Sequence, residues 1–133
     1  MIFLRHLGYF PGQFKERNKL INTVHISNIK KQEAEDGSLT IIATANFKYE
    51  TTIQLINPSA KLLSPVKISC SCQSFNYDFA MACLRNKSLY GNITQKNSLS
   101  KHLPKKRNPF IIATGCKHIH ALSRIIIKNK LFK

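Results

Sequence analysis

Two short pairs of metal-ligand residues, Cys70-Ser-Cys72 and Cys116-Lys-His118, constrain this chain more than any other feature. Within each pair one residue separates the two side chains, which in an extended strand places both on the same face. Three thiolates and one imidazole are the complete donor set of a closed, four-coordinate structural zinc site. The sequence therefore predicts one structural Zn²⁺ ion bound by Cys70, Cys72, Cys116 and His118, with no open position for a catalytic water.

Length, cysteine content and charge narrow the class of protein. A chain of 133 residues has room for one domain with a modest core, and it has no apolar run long enough to span a membrane. The N-terminus lacks the features of a secretory signal, so we expect thiols or metal ligands rather than disulfides. The net charge of +15 favours a polyanionic partner, either nucleic acid or an acidic protein surface, with simple solubility as the alternative.

The first half of the chain predicts an antiparallel sheet preceded by a separate segment. Residues 1–21 mix apolar and basic side chains, which predicts an N-terminal docking segment packed on its own domain or on a neighbour. From residue 22, alternating apolar residues give about four strands, with a hairpin turn at Asp36-Gly37 and a last strand that ends at Cys70. One face of the strand predicted within 39–49 carries four apolar residues: Ile41, Ala43, Ala45 and Phe47.

The second half of the chain predicts two helices. Phe75, Phe79 and Cys83 lie four residues apart, which predicts a helix over 74–89 that begins at its N-cap serine and holds Cys83 as a core thiol. Helical spacing returns over 118–131, directly after the second ligand pair.

A basic arm over 92–110 lies between these helices. It has little apolar content, and four of its residues are predicted to contact nucleic acid or an acidic partner: Lys101, Lys105, Lys106 and Arg107. The fold class predicted for 22–133 is one α+β domain, with the sheet in 22–70 and the zinc-binding part in 70–133. The zinc ion would join the end of a strand to the last helix.

These ligand pairs resemble the SWIM-type zinc finger, in which Cys-x-Cys is followed by Cys-x-His on a β-β-α framework. The similarity covers 68 to about 126, and it implies the ligand roles for Cys70, Cys72, Cys116 and His118. The single residue within the second pair of that pattern favours His118 over His120 as the fourth ligand. The spacer between the pairs is longer here than in typical cellular members.

The chain is more closely similar to SWIM-like structural proteins of tailed bacteriophages. Those proteins have a Cys-x-Cys-x-x-Phe opening, an aromatic helix, an Asn-Pro segment and Cys-Lys-His, preceded by a Tyr-x-x-x-Ile-Gln strand. The corresponding stretches here are Tyr49-Glu-Thr-Thr-Ile-Gln54, Cys70-Ser-Cys-Gln-Ser-Phe75, Asn108-Pro109 and Cys116-Lys-His118.

The resemblance implies a non-enzymatic structural protein of a phage virion, located in the tail, baseplate or neck and made in the host cytoplasm. Its partners would be other virion structural proteins, with no membrane and no small-molecule substrate. The alternative is a nucleic-acid-binding SWIM zinc-finger protein. We expect no enzyme, because the sequence has no Gly-rich phosphate loop, no carboxylate pair and no nucleophile–base signature.

Overall fold

The computed structural model describes residues 1–91 and 112–132, and it shows an α+β fold. In chain order the strands are β1 (Ile2–Phe3), β2 (Ile26–Glu33), β3 (Leu39–Ala45), β4 (Tyr49–Leu55) and β5 (Pro65–Cys70). The helices are α1 (Asn18–Ile21), α2 (Ala80–Arg85) and α3 (Lys117–Lys128), and a π-helical segment, Phe75–Phe79, leads into α2. Short 3₁₀ segments occupy Leu4–His6, Gly12–Arg17 and Pro58–Leu63.

The strands form one antiparallel sheet in the order β1-β5-β4-β3-β2. The sequence predicts about four strands, and the described residues form five because the two residues of β1 pair with β5, Ile2 with Val66 and Phe3 with Pro65. A strand of two residues has no alternation that a sequence pattern can detect. Its position follows from tertiary packing, since Ile2 is 4% exposed and lies in the core.

The β2–β3 hairpin turns at the predicted Asp36-Gly37 pair. Gly37 has a φ of 89°, in the left-handed region where a residue without Cβ has no steric cost. The Asp36 side chain accepts a hydrogen bond from the Ser38 N–H at 2.9 Å, which closes an Asx-type turn. The turn chemistry therefore fixes the register of this hairpin.

The opposite hairpin corrects one prediction, because β3 ends at Ala45 and Phe47 lies in the β3–β4 turn rather than on a strand face. Asn46 and Phe47 both have left-handed φ angles, 51° and 61°. The Lys48 N–H donates to the Ala45 carbonyl at 3.1 Å and closes the turn. Two successive left-handed residues give the type I′ twist that suits a tight hairpin, so the alternation stops at Ala45.

Strand β2 is the outermost strand on its side of the described sheet, and it is irregular. The pairing with β3 shifts between Ser27 and Lys30, and Asn28 in that interval has a φ of 52°. An extra residue of this kind forms a β-bulge, which bends the strand and increases its twist. Most of β2 is exposed, and it carries Lys30 and Lys31 after the bulge.

The helix predicted over 74–89 is shorter than expected and starts differently. Ser74 has helical backbone angles and makes no capping bond, and its hydroxyl donates instead to Asp78 Oδ2 at 3.4 Å. After α2 the chain turns at Lys87, whose φ is 63°. Leu89 then forms an isolated parallel bridge to β5. This pairing with the sheet replaces the last helical turns that its apolar spacing predicts.

One hydrophobic core fills the space between the sheet and α3. Ile41, Ile53 and Ile68 supply fully buried side chains from the strands, and Ile119 and Leu122 supply them from α3. The N-terminal segment belongs to the same core through four buried apolar residues: Leu4, Leu7, Phe10 and Phe14. This segment therefore packs against its own chain.

Helix α3 corresponds to the predicted helix over 118–131. It runs from Lys117 to Lys128 and buries one face, including Ile126, against the sheet. No helix among the described residues is long and apolar enough to cross a membrane.

Candidate metal centre

The four predicted ligand residues meet at one end of the sheet. Cys70 is the last residue of β5, and Cys72 follows it by two positions. Cys116 directly precedes α3, and His118 lies in the first turn of that helix. All four side chains are buried, with exposures of 1% to 3%.

A close approach between backbone and helix places Cys116. Gly115 precedes it, and a Cβ atom at this glycine would lie 2.6 Å from the Ile119 side chain. Any larger residue would push the start of α3 away from its connection. The glycine therefore allows Cys116 and His118 to reach the sulfur atoms of the other pair.

The potential ligand atoms of these residues all lie within 4.8 Å of one another. His118 Nδ1 is 3.7 Å from the sulfur of Cys70 and 3.7 Å from that of Cys116, so this nitrogen faces the thiols. All four cysteines of the chain are free, and none forms a disulfide. The cluster could bind one metal ion.

Contacts around the cluster fix the orientation of its members. The Thr51 hydroxyl lies 3.4 Å from Cys70 Sγ, and the Phe75 N–H donates to Cys72 Sγ at 3.3 Å. On the other side of the imidazole, Asn46 Nδ2 lies 3.4 Å from His118 Nε2, and the Tyr49 ring centroid is 4.9 Å from that of His118. Supporting contacts of this kind orient ligating side chains and tune their basicity.

Thr51, Asn46 and Tyr49 were not predicted as site residues. Thr51 reaches Cys70 because the two are direct partners in the β4–β5 pairing, and Asn46 and Tyr49 come from the β3–β4 hairpin. Only the strand register brings them to the cluster. The alternation over 39–49 gave no sign of this turn, so these residues could have been found only by assuming that β4 pairs beside the strand that ends at Cys70.

Without a bound metal ion, the thiols of the cluster differ in pKa. Hydrogen bonds donated by the Cys116 and Cys72 thiols lower the pKa of Cys70 well below its usual value, against the opposing effect of burial. Burial, together with the neighbouring sulfur atoms, raises the pKa of Cys116 well above its usual value. One thiolate therefore forms readily, and the remaining thiol protons must leave for a metal ion to bind.

His120 lies outside this cluster. It is fully buried, its Nδ1 accepts a hydrogen bond from the Gly8 N–H at 2.9 Å, and its Nε2 lies 3.3 Å from the Thr114 hydroxyl. The ring also packs edge-to-face on Phe10, with centroids 4.5 Å apart. Burial and the nearby charge of Arg124 lower the pKa of His120 to about 3. This histidine anchors the N-terminal segment to α3.

Cys83 also lies apart from the cluster. It is fully buried in α2, and its thiol donates to the Thr114 carbonyl at 3.5 Å. Burial raises the pKa of this thiol to about 12, which keeps it protonated at neutral pH. A protonated thiol in an apolar setting is a packing group and a poor metal ligand.

A cleft of about 680 Å³ borders the cluster and includes Cys72 and His118 in its wall. Among the described residues, three cationic side chains line it: Arg17, Lys48 and Lys117. Asp78 lies there as well, buried and paired with Arg17 at 3.1 Å. The Arg17 guanidinium also lies 4.8 Å from the centroid of the Phe14 ring, so packing and an ion pair both hold it.

The residues predicted for the basic arm, Lys101, Lys105, Lys106 and Arg107, lie outside the described residues. Their assignment to nucleic acid or to an acidic partner stays a prediction.

No protein-family model, no curated protein and no solved structure matches this chain.

Proposed function

We propose that this chain is a non-enzymatic protein whose fold is stabilised by one zinc ion held by Cys70, Cys72, Cys116 and His118. The observation that carries the proposal is the convergence of four buried donor atoms within 4.8 Å of one another. In a tetrahedral site with zinc–sulfur bonds of about 2.3 Å and zinc–nitrogen bonds of about 2.0–2.1 Å, sulfur and nitrogen lie about 3.5–3.6 Å apart. The two distances of 3.7 Å from His118 Nδ1 to sulfur fit that value.

The donor set also favours zinc over other common metals. Thiolates and imidazole suit zinc, whereas calcium and magnesium take oxygen ligands. A bound zinc ion would supply a cross-link and Lewis-acid neutralisation of the thiolates. Since protein atoms fill all four positions, the residues of this site support a structural role rather than activation of water.

The chain's own residues determine what this cross-link does. Cys70 ends β5 and Cys72 follows it, and Cys116 and His118 open α3, so the site joins two elements more than forty residues apart in sequence. Binding free energies for structural zinc are on the order of 10 kcal/mol or more. In a small domain with a limited hydrophobic core, a metal cross-link of this free energy adds to the stability that packing provides.

The biological role we propose is assembly in a tailed-phage virion, in the tail, baseplate or neck. The resemblance of Cys70-Ser-Cys-Gln-Ser-Phe75 and Cys116-Lys-His118 to SWIM-like phage structural proteins supports it. Partners would be other virion structural proteins, met after synthesis in the host cytoplasm. The net charge of +15 suits acidic surfaces on such partners.

The second candidate function is nucleic-acid binding. The chain has 21 lysines and arginines against 6 acidic residues. Within the described residues, cations line the cleft beside the zinc ligands, and its buried acid, Asp78, is already paired with Arg17. A cationic cleft of this kind raises the local concentration of polyanions.

Two measurements test the leading proposal. Elemental analysis of the purified chain should find one zinc per molecule, and removal by a strong chelator should unfold it; a folded chain with almost no zinc would contradict the metal site. Mass spectrometry of purified particles from the source phage should detect the chain at a fixed copy number. Its absence from particles, with abundant protein in the infected cell, would contradict the virion role.

A further inference from the structure

The tip of the β3–β4 hairpin carries an aromatic residue that serves neither the core nor the turn. Phe47 is 77% exposed, so it contributes little to core packing. Its φ of 61° lies in the left-handed region, which is strained for a bulky side chain and which Gly adopts freely. Asn followed by Gly is the usual choice for such a turn, and here Phe replaces the glycine. This arrangement points to a use outside the fold.

The ring of Phe47 stacks on one neighbour and is otherwise exposed to solvent. It stacks on His25 with centroids 4.4 Å apart and planes inclined by 19°. The two residues are joined through Asn46, whose N–H donates to the His25 carbonyl at 2.7 Å and whose Oδ1 accepts from the His25 N–H at 2.9 Å. Phe47 is therefore an ordered aromatic platform rather than a loose side chain.

The platform lies next to the cationic cleft along the chain, and Phe47 and His25 themselves are outside the lining of that cleft. Asn46, Lys48 and Tyr49, which flank Phe47 in the hairpin, all line that cleft, and Lys117 lines it from the start of α3. Lys48 is exposed, with its ammonium 5.3 Å from the Tyr49 ring centroid. An aromatic surface next to positive charges is the combination that binds single-stranded nucleic acid, because bases stack on the ring while cations follow the phosphates.

We infer that this hairpin tip and cleft form a contact site for single-stranded DNA or RNA, with a base stacked on Phe47 and the phosphates passing Lys48 toward Lys117. The inference goes beyond the assembly role and rests on the second candidate function. Charge complementarity selects this occupant, because the chain carries a net charge of +15 and the stacked ring pair presents a flat apolar face. An acidic peptide would match the charge without using that face.

The test uses the full zinc-loaded chain and fluorescein-labelled oligo-dT and oligo-rU of about 15 nucleotides, the length scale of single-strand sites. Fluorescence anisotropy would measure binding at about 50 mM and 200 mM salt. Phe47→Gly should weaken binding about 5- to 150-fold, the range expected for one lost base stack. Phe47→Tyr should keep it. Thermal unfolding of Phe47→Gly should occur at an equal or higher temperature, because glycine relieves the left-handed strain.

Two controls separate stacking from charge and from general surface effects. The slope of log affinity against log salt is negative for a nucleic-acid complex. Lys48→Ala and Lys117→Ala should each make it less steep by about 0.7, the value for one single-strand phosphate contact. Leu63→Ala removes an apolar residue that is 58% exposed in the β4–β5 connection, at the opposite end of β4 from Phe47. That variant should bind as the wild type does.

The outcomes distinguish failure of the site from failure of the function. A wild-type chain that binds no oligonucleotide at about 50 mM salt would overturn both. Binding that is unchanged by Phe47→Gly, Lys48→Ala and Lys117→Ala would overturn this site and leave nucleic-acid binding to other residues. Phe47-dependent binding of a poly-glutamate peptide, with none of the oligonucleotides, would replace the inference with an acidic protein partner.

Discussion

His118 and His120 are two residues apart on α3 and are both buried, yet they meet different surroundings. His118 turns Nδ1 toward two sulfur atoms at 3.7 Å, whereas His120 turns Nδ1 toward the Gly8 N–H. The same contrast separates Cys116, in the cluster, from Cys83, whose thiol meets a carbonyl. Burial alone therefore does not make a ligand. What distinguishes the cluster is that donors from β5 and from the start of α3 converge on one point.

Among the variants that test this contrast, Cys116→Ser should cause the largest loss of stability. Loss of one thiolate leaves the cluster with three strong donors, so we expect loss of the metal and a fall in the free energy of unfolding of several kcal/mol, within the order of 10 kcal/mol typical of structural zinc. Zinc analysis and unfolding followed by circular dichroism would measure both. A variant that keeps its zinc and its stability would show that Cys116 is no ligand.

His120→Asn tests the other environment and its pH dependence. The pKa of His120 in the folded chain is about 3, so its imidazole stays neutral in the folded state at any pH well above 3. In the unfolded chain the same imidazole takes up a proton below about pH 6.5. Stability from this residue is thus present above pH 6.5 and is lost as the pH falls toward 3. Asn can accept the Gly8 hydrogen bond but does not titrate.

Chemical denaturation at two pH values would measure this effect. The stability gap between wild type and His120→Asn should be about 1.4 kcal/mol narrower at pH 5.5 than at pH 7.5. Release of the metal at acid pH changes the stability of both proteins by the same amount, so it cancels in the comparison. Zinc content at pH 7.5 should be unchanged, and a gap independent of pH would contradict a neutral buried His120.

Cys83→Ala should lower stability modestly and leave the metal centre unchanged. It removes one buried sulfur and its bond to the Thr114 carbonyl, so we expect a loss of about 1–3 kcal/mol from the resulting cavity. The metal content should match that of the wild type. Loss of zinc in this variant would instead place Cys83 among the ligands.

The parts of this structure that the sequence predicted depend on short-range patterns. The hairpin at Asp36-Gly37 and the last helix follow from turn chemistry and from helical spacing, which act within a few residues. The grouping of Cys70, Cys72, Cys116 and His118 followed from donor chemistry and pair spacing. Metal identity and function stay predictions.

The parts that the sequence did not predict depend on tertiary packing. β1 has two residues and forms only because it pairs with β5 and packs on the core. Thr51 reaches Cys70 through strand register, and Phe47 leaves its expected strand face because the turn begins at Asn46. The helix expected over 74–89 ends early because Leu89 pairs with β5. Each of these outcomes is decided by residues far away in the sequence or by turn geometry that apolar spacing does not encode.

The bulge in β2 has a consequence for how this protein meets other molecules. A regular outer strand would offer its backbone groups to any second strand, including that of another copy. The left-handed Asn28 breaks that row of groups, and the lysines after it repel an identical edge. Along this side, recognition must come from side chains rather than from extension of the sheet. This edge therefore disfavours the strand-to-strand pairing by which the sheets of neighbouring copies join into fibrils.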